Sequence, residues 1–164
     1  MIRRRSMLVC CLGVASVLSP WGEPCASASA SKTALAIVTQ KASSIDSLTL
    51  RELKRLYTGE QVVSPDGKRI VPLNHAPKSP ERVEFERIVL GMSPDEVGRF
   101  WIDRKIRGQP GPPKSVPSVE LLRRVVASLL GAIVYLKLAD VSRDLKVIKV
   151  DGKGPGDPGY PLEY

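Results

Sequence analysis

After Cys25 the sequence contains no cysteine: Cys10, Cys11 and Cys25 all fall within its first thirty residues. Once that segment is removed, the rest can form no disulfide, no thiolate nucleophile and no cysteine metal site. Histidine is nearly absent too, and His75 is the only one in 164 residues. A lone loop histidine is expected at the surface rather than as a general base, which needs partners. There is no G-x-S-x-G run and no His/Cys/acid cluster at metal-ligand spacing. Asp140 and Asp144, either side of a turn, read as solvated surface. These absences argue against an enzyme, and they imply no metal and no cofactor. Aromatic residues make up only 5% of the chain. No aromatic-rich strand is present to stack bases, and Lys and Arg are interleaved with acids from Lys32 to Lys153. Nucleic-acid binding is therefore not expected. No stretch after the first thirty residues is long and apolar enough to cross a bilayer.

What is present begins with a leader. Arg3, Arg4 and Arg5 precede an apolar run from Met7 to Leu18, and Ala26, Ala28 and Ala30 follow at A-x-A spacing. The pattern is that of a secretory signal peptide over residues 1–30, cut after Ala28 or Ala30. It leaves open whether export is by the general or the twin-arginine route. The protein is then expected in the periplasm or secreted. About 134 residues remain, enough for one domain that buries about two-thirds of its unfolded surface without covalent staples. The whole chain carries a formal charge of +8. Arg3, Arg4, Arg5 and Glu23 are the leader's only charged residues, so the remainder stays near +6. That balance suits small anions or an anionic partner.

Strands and helices alternate through residues 31–150. Residues 34–39, ALAIVT, form a nearly continuous apolar run of strand length, as expected for burial on both faces. Thr49 and Glu52 are spaced as a capping box for a helix that Gly59 stops, and Ser93 and Glu96 repeat the device. Val97, Phe100 and Trp101 share one face of that later helix, so Trp101 is expected to be buried. Pro72, lacking an N–H, points to a strand edge. Residues 107–118, RGQPGPPKSVPS, read as loop because of their Gly and Pro pairs. Ser118 opens a further helix with Leu122, Val126 and Leu129 on one face, followed by strands at 132–136 and 145–150. Residues 151–164, DGKGPGDPGYPLEY, read as a flexible tail. The order predicts an α/β domain with a mainly parallel sheet.

The stretch from Leu73 to Gly91 carries the functional expectation. A strand ending at Asn74 runs through a short loop with His75 into a helix capped by Ser79, with Pro80 at its first position. Unpaired N–H groups and the positive end of the helix make such a turn suited to an anion. Asn74, His75, Lys78, Ser79 and Arg82 are the candidate ligand-binding residues. Glu81 opposes this if it points inward. Phe85, Ile88, Val89 and Met92 give the helix its apolar face. Arg82 stands where the two capping boxes carry Glu. It cannot accept a hydrogen bond, and it adds positive charge to a positive helix end. A solvent-directed side chain is the expectation for it.

Taken in order, these segments resemble the small exported relatives of the phosphate-binding components of ABC transporters, within the type II periplasmic binding protein family. The resemblance rests on TLRELKRLYTG (49–59), PDGKRIVPL (65–73), Ser79 to Gly91, Trp101 to Pro113, GAIVY (131–135) and the strand at 145–150. It covers about residues 34–150. It implies a single three-layer lobe, a small mainly parallel sheet flanked by helices, that holds phosphate or another oxyanion, with a link to phosphate ABC transport. A full binding protein closes two lobes about its ligand; only one is matched here. The family's Ser-Gly-Thr run at the anion-holding helix is replaced by Lys78-Ser79-Pro80-Glu81. Only Ser79 carries over, with Arg82 and Lys78 as substitutes for charge. The alternative is a cell-envelope interaction module that keeps the fold without a ligand and contacts a protein partner through the Pro-rich loop or the tail.

Overall fold

Leu35–Gln40 forms strand β1, and its side chains alternate between two apolar layers, which is why the run is apolar throughout. Leu35 and Ile37 face one layer, Ala36 and Val38 the other. The computed structural model describes residues 33–164; the leader expected over 1–30 lies outside the described residues. Six strands form one sheet in the order β2-β6-β1-β5-β3-β4. They are β1, β2 (Ser47–Leu48), β3 (Val71–His75), β4 (Lys114–Val116), β5 (Ala132–Lys137) and β6 (Leu145–Val150). Three of the five pairings are parallel: β2 with β6, β3 with β5 and β3 with β4. β1 runs antiparallel to both its neighbours, β5 and β6.

Four α-helices complete the three layers: α1 (Leu50–Tyr57), α2 (Pro80–Phe85), α3 (Pro94–Ile106) and α4 (Val119–Ser128). Leu53, Leu56 and Tyr57 of α1, Phe85 of α2 and Val97 of α3 pack on one face with Ile133, Tyr135 and Ile148. Leu122 and Val126 of α4 cover the opposite face, over Val38, Val134 and Leu136. Each helix starts where its cap residue was expected. Thr49 and Ser93 close full capping boxes, and Ser79 and Ser118 accept from the amides of Arg82 and Leu121. The fold class expected from the sequence is the one observed.

Several local expectations are corrected. The proline-rich stretch is not all loop, since Lys114–Val116 pairs with Leu73–His75 as an edge strand. Its prolines flank the pairing residues and so remove no ladder donor. Pro72 lies in a strand with neighbours on both sides, yet β4 begins pairing only at Leu73. The Val71 amide donates to Gly131 on the β5 side, so the nitrogen of Pro72 faces the side without a partner. After α2 the helix widens into a π-helical turn, Glu86–Leu90, which ends at Gly91 in the left-handed conformation. The wide turn shifts the helical register. Glu86 and Leu90 face inward with Phe85 and Val89, while Ile88 and Met92 are only partly buried. In α3 only Val97 is fully buried; Trp101 is half-buried, packed against the core cluster without being enclosed by it.

The tail is the largest departure. Residues 151–164, expected to be mobile, lie along β1 and α1. Asp151 accepts from the Leu50 amide, and the Tyr160 hydroxyl donates to the Leu35 carbonyl at 2.8 Å. Leu162 is fully buried and its carbonyl accepts from the Leu35 amide. Thr33 and Tyr164 exchange both backbone hydrogen bonds at 3.0 Å. Two apolar side chains, Tyr160 and Leu162, outweigh the Gly/Pro composition by burying themselves in the larger core cluster.

Candidate functional site

Three parallel strands, β5, β3 and β4, end at one edge of the sheet, at Lys137, His75 and Val116. The β3–α2 junction sits there. In open α/β sheets this is the edge where ligands bind, outside the carboxyl ends of the strands. Lys78 enters the turn at φ 66°, a left-handed conformation. Ser79, with extended backbone, accepts the Arg82 amide on its hydroxyl at 3.3 Å. The Val83 amide goes to the Ser79 carbonyl at 3.0 Å.

The five residues expected at the site are placed differently from one another. Lys78 is exposed and Ser79 half-buried. Asn74 is buried; its Oδ1 accepts from the Tyr135 hydroxyl and from the His75 amide. His75 is not the surface residue expected of a lone histidine. It is the last residue of β3 and buried, its ring stacked on Tyr135 at 4.9 Å, and its Nε2 donates to the Tyr135 carbonyl at 2.7 Å. Burial pushes its pKa below the usual value, against that hydrogen bond, which acts the other way. Tyr135 continues the stack to Phe85 at 3.9 Å and nearly parallel, and Tyr57 lies tilted against Phe85 at 4.5 Å. Burial holds the hydroxyls of Tyr57 and Tyr135 well above the usual phenol range. The junction thus rests on an aromatic wall with a polar end.

Arg82 does not turn to solvent. Its Nε pairs with Oε1 of Glu86 at 2.7 Å, with the two side chains only 13% and 6% exposed. Nη1 donates to the His75 carbonyl at 3.3 Å and to Ser115 Oγ of β4 at 3.2 Å. The charge conflict at a positive helix end is settled by an internal carboxylate. Glu81 points inward as well, onto Lys137 Nζ at 2.7 Å. Burial pushes its carboxyl up, but the Lys137 ammonium and its own backbone amide outweigh this and hold it below the usual range. The edge therefore carries three cations, Lys78, Arg82 and Lys137, against Glu81 and Glu86.

Sequence reasoning missed Glu86, Ser115, Lys137 and Tyr135 at this edge. Glu86 stands four residues after Arg82, the spacing of a helical ion pair, and was visible in principle. Ser115, Lys137 and Tyr135 come from other strands and carry no local signal. Among the described residues no group of His, Cys, Asp and Glu could hold a metal ion. No described helix is long and apolar enough to cross a membrane.

The sheet order, the helices on both faces and the edge at β3 define an α/β lobe of the type II periplasmic binding protein kind. Its fold is similar to that of several solved phosphate-binding proteins. The sequence matches no family model and no curated protein. An ABC-type phosphate transport receptor from Vibrio cholerae superposes with a TM-score of 0.64 at 19% identity, over 80% of this chain and 54% of that one. A phosphate ABC transporter substrate-binding protein from Clostridium perfringens, solved with bound phosphate, gives 0.59 at 22% identity, over 74% and 46%. PstS from Borrelia burgdorferi gives 0.58 at 15% identity, over 80% and 55%. The chain spans about half the length of these proteins, and the likeness is one of fold.

Proposed function

We propose that this lobe holds a small tetrahedral oxyanion of the phosphate type at the β3–α2 junction, outside the cytoplasm, in a process akin to phosphate ABC transport. The observation that carries the reading is the convergence of Lys78, Ser79, Arg82, Ser115 and Lys137 at the carboxyl edge of three parallel strands, in a fold shared with phosphate receptors. The Ser79 hydroxyl would donate to the anion, whereas the Glu81 amide is engaged with its own carboxylate. Lys78 would supply the most accessible charge, and Arg82 stays oriented by Glu86. Lys137 serves a different end: it offsets the Glu81 carboxylate, which would otherwise repel the ligand. Because Glu81 remains charged and close, affinity should be modest.

Phosphate titrated against isotope-labelled protein tests this. The amides of Glu81 and Arg82 should move, Lys78→Glu should weaken binding several-fold, and Glu81→Gln should strengthen it by removing like charge. Sulfate in place of phosphate reads out selectivity. If none of these amides moves at tens of millimolar phosphate in either the wild type or Glu81→Gln, the edge is not an oxyanion site. The location is tested separately, by mass spectrometry of the periplasmic fraction. A start at Ser29 or Ser31 is expected, and retention of Cys25 would overturn it.

A further inference from the structure

The β5 side of the β3–α2 junction opens into a hollow of about 800 Å³. Pro80, the first residue of α2, and Lys137, which pairs with Glu81, both stand in its lining. The hollow therefore adjoins the edge that gathers Lys78, Ser79 and Arg82. Its other walls are chiefly apolar: Ala34, Leu138, Ala139 and Tyr164. The backbone fixes these walls. The Leu138 amide donates to the Ala34 carbonyl at 3.0 Å, and Tyr164 is tied to Thr33 by their paired hydrogen bonds. Burial raises the Tyr164 hydroxyl above the ordinary phenol range; Lys137 acts the other way, and Glu81 and Glu84 add to the rise. Lys137 and Glu81 belong to the junction, so this phenol stands within its field. The lining holds one cation and one acid, Lys137 and Glu163, and carries no net charge of its own.

We propose that the oxyanion held at this junction is the head of a soluble phosphate monoester, whose uncharged apolar group lies in the hollow against Pro80, Leu138 and Tyr164. The inference rests on the oxyanion reading and names its class of ligand. Pockets that take organic ligands run to roughly 300–1,000 Å³, with mostly apolar walls and a few polar groups that fix orientation. The hollow has that size and those walls, and the polar groups lie at its junction end. A free inorganic ion would occupy that end alone and leave the apolar walls wet. A monoester keeps three acceptor oxygens and close to two negative charges for Lys78, Ser79 and Arg82. A diester gives up one of each.

Phenyl phosphate, inorganic phosphate and phenol, each titrated into the isotope-labelled protein, provide the test. Phenyl phosphate should move the Glu81 and Arg82 amides, as inorganic phosphate does, and also the methyls of Leu138 and Ala139. Its affinity should be about tenfold higher, from the apolar surface it buries. Leu138 is 45% exposed. Leu138→Gln removes apolar wall without adding charge, and should erase that preference with the melting temperature unchanged. If neither phosphate moves the Glu81 and Arg82 amides, the oxyanion reading itself fails and takes this inference with it. If inorganic phosphate binds as tightly as phenyl phosphate, or the preference survives Leu138→Gln, the oxyanion site stands and the monoester is overturned. Phenol binding as tightly as phenyl phosphate would overturn it too, by showing a hollow uncoupled from the anion. So would capture of vesicles containing phosphatidic acid by a protein that ignores phenyl phosphate, since the monoester would then be read at a lipid surface.

Discussion

Arg82 and His75 look alike in the sequence, two basic residues beside a capped turn, yet burial gives them opposite parts. Arg82 is held by Glu86 almost out of solvent. Arg82→Gln should therefore cost about 3–5 kcal/mol, because it leaves a carboxylate buried without its cation. Replacing the pair together, Arg82→Met with Glu86→Leu, should recover most of that loss in urea denaturation. An equal loss in the double variant would mean the residues matter for something other than their mutual charge. His75 is buried with its pKa below the ordinary 6.5. The folded protein then takes up the proton less readily than the unfolded chain, so the stability this adds is complete above about pH 6.5 and declines as pH falls below it. Urea midpoints should drop between about pH 7 and pH 5 in the wild type, and His75→Gln should flatten that slope. A flat wild-type profile would contradict the buried assignment. The cap at Ser79 was legible in the sequence because its partner is three residues away. Ser115 and Lys137 were not, because they reach Arg82 and Glu81 only once the strand order is known.

Helices were the most legible elements, since capping and apolar spacing are local properties, and the starts at Thr49, Ser79, Ser93 and Ser118 follow from single side chains. The π-helical turn was not legible, since no local spacing in Glu86–Leu90 marks where the helix widens. β4 was hidden by its prolines, and β2 by having two residues. Gly131 is an element-scale device of a different kind. It leads into β5 at φ 78°, and a Cβ there would stand 2.7 Å from the Arg69 carbonyl oxygen. Its own carbonyl accepts from the Val71 amide, which begins the β3–β5 pairing. Gly131→Ala should destabilise by about 1–3 kcal/mol, with faster hydrogen exchange at Val71. Gly91→Ala shares the left-handed backbone but meets no atom within 4 Å. It should lose less, and an equal loss in both would show that the steric contact adds nothing.

For the whole molecule, composition misled about residues 151–164. Seven of the fourteen are Gly or Pro, which argues for mobility, but stability follows from where the few apolar side chains go. Leu162→Ala should cost about 2–5 kcal/mol, as for a core leucine, and should open the Tyr160–Tyr164 segment to protease. A loss under about 1 kcal/mol would restore the picture of a free tail. The alternation of strands and helices, β2 and β4 apart, was readable, because each segment must bury its own face. The antiparallel course of β1 was not, since nothing within residues 35–40 distinguishes its two possible directions.

That course has a kinetic consequence. β1 is the first strand of the described chain, yet both its neighbours, β5 and β6, come from residues 132–150, and its outer end is closed by residues 160–164. Nothing translated before residue 132 can pair with it. The sheet around β1 must wait for residues 132–150, and contacts so distant in sequence slow the search. A nascent fragment ending near residue 130 should hold helices but no sheet around β1. The stretch around β1 therefore stays extensible until residues 132–150 have been made.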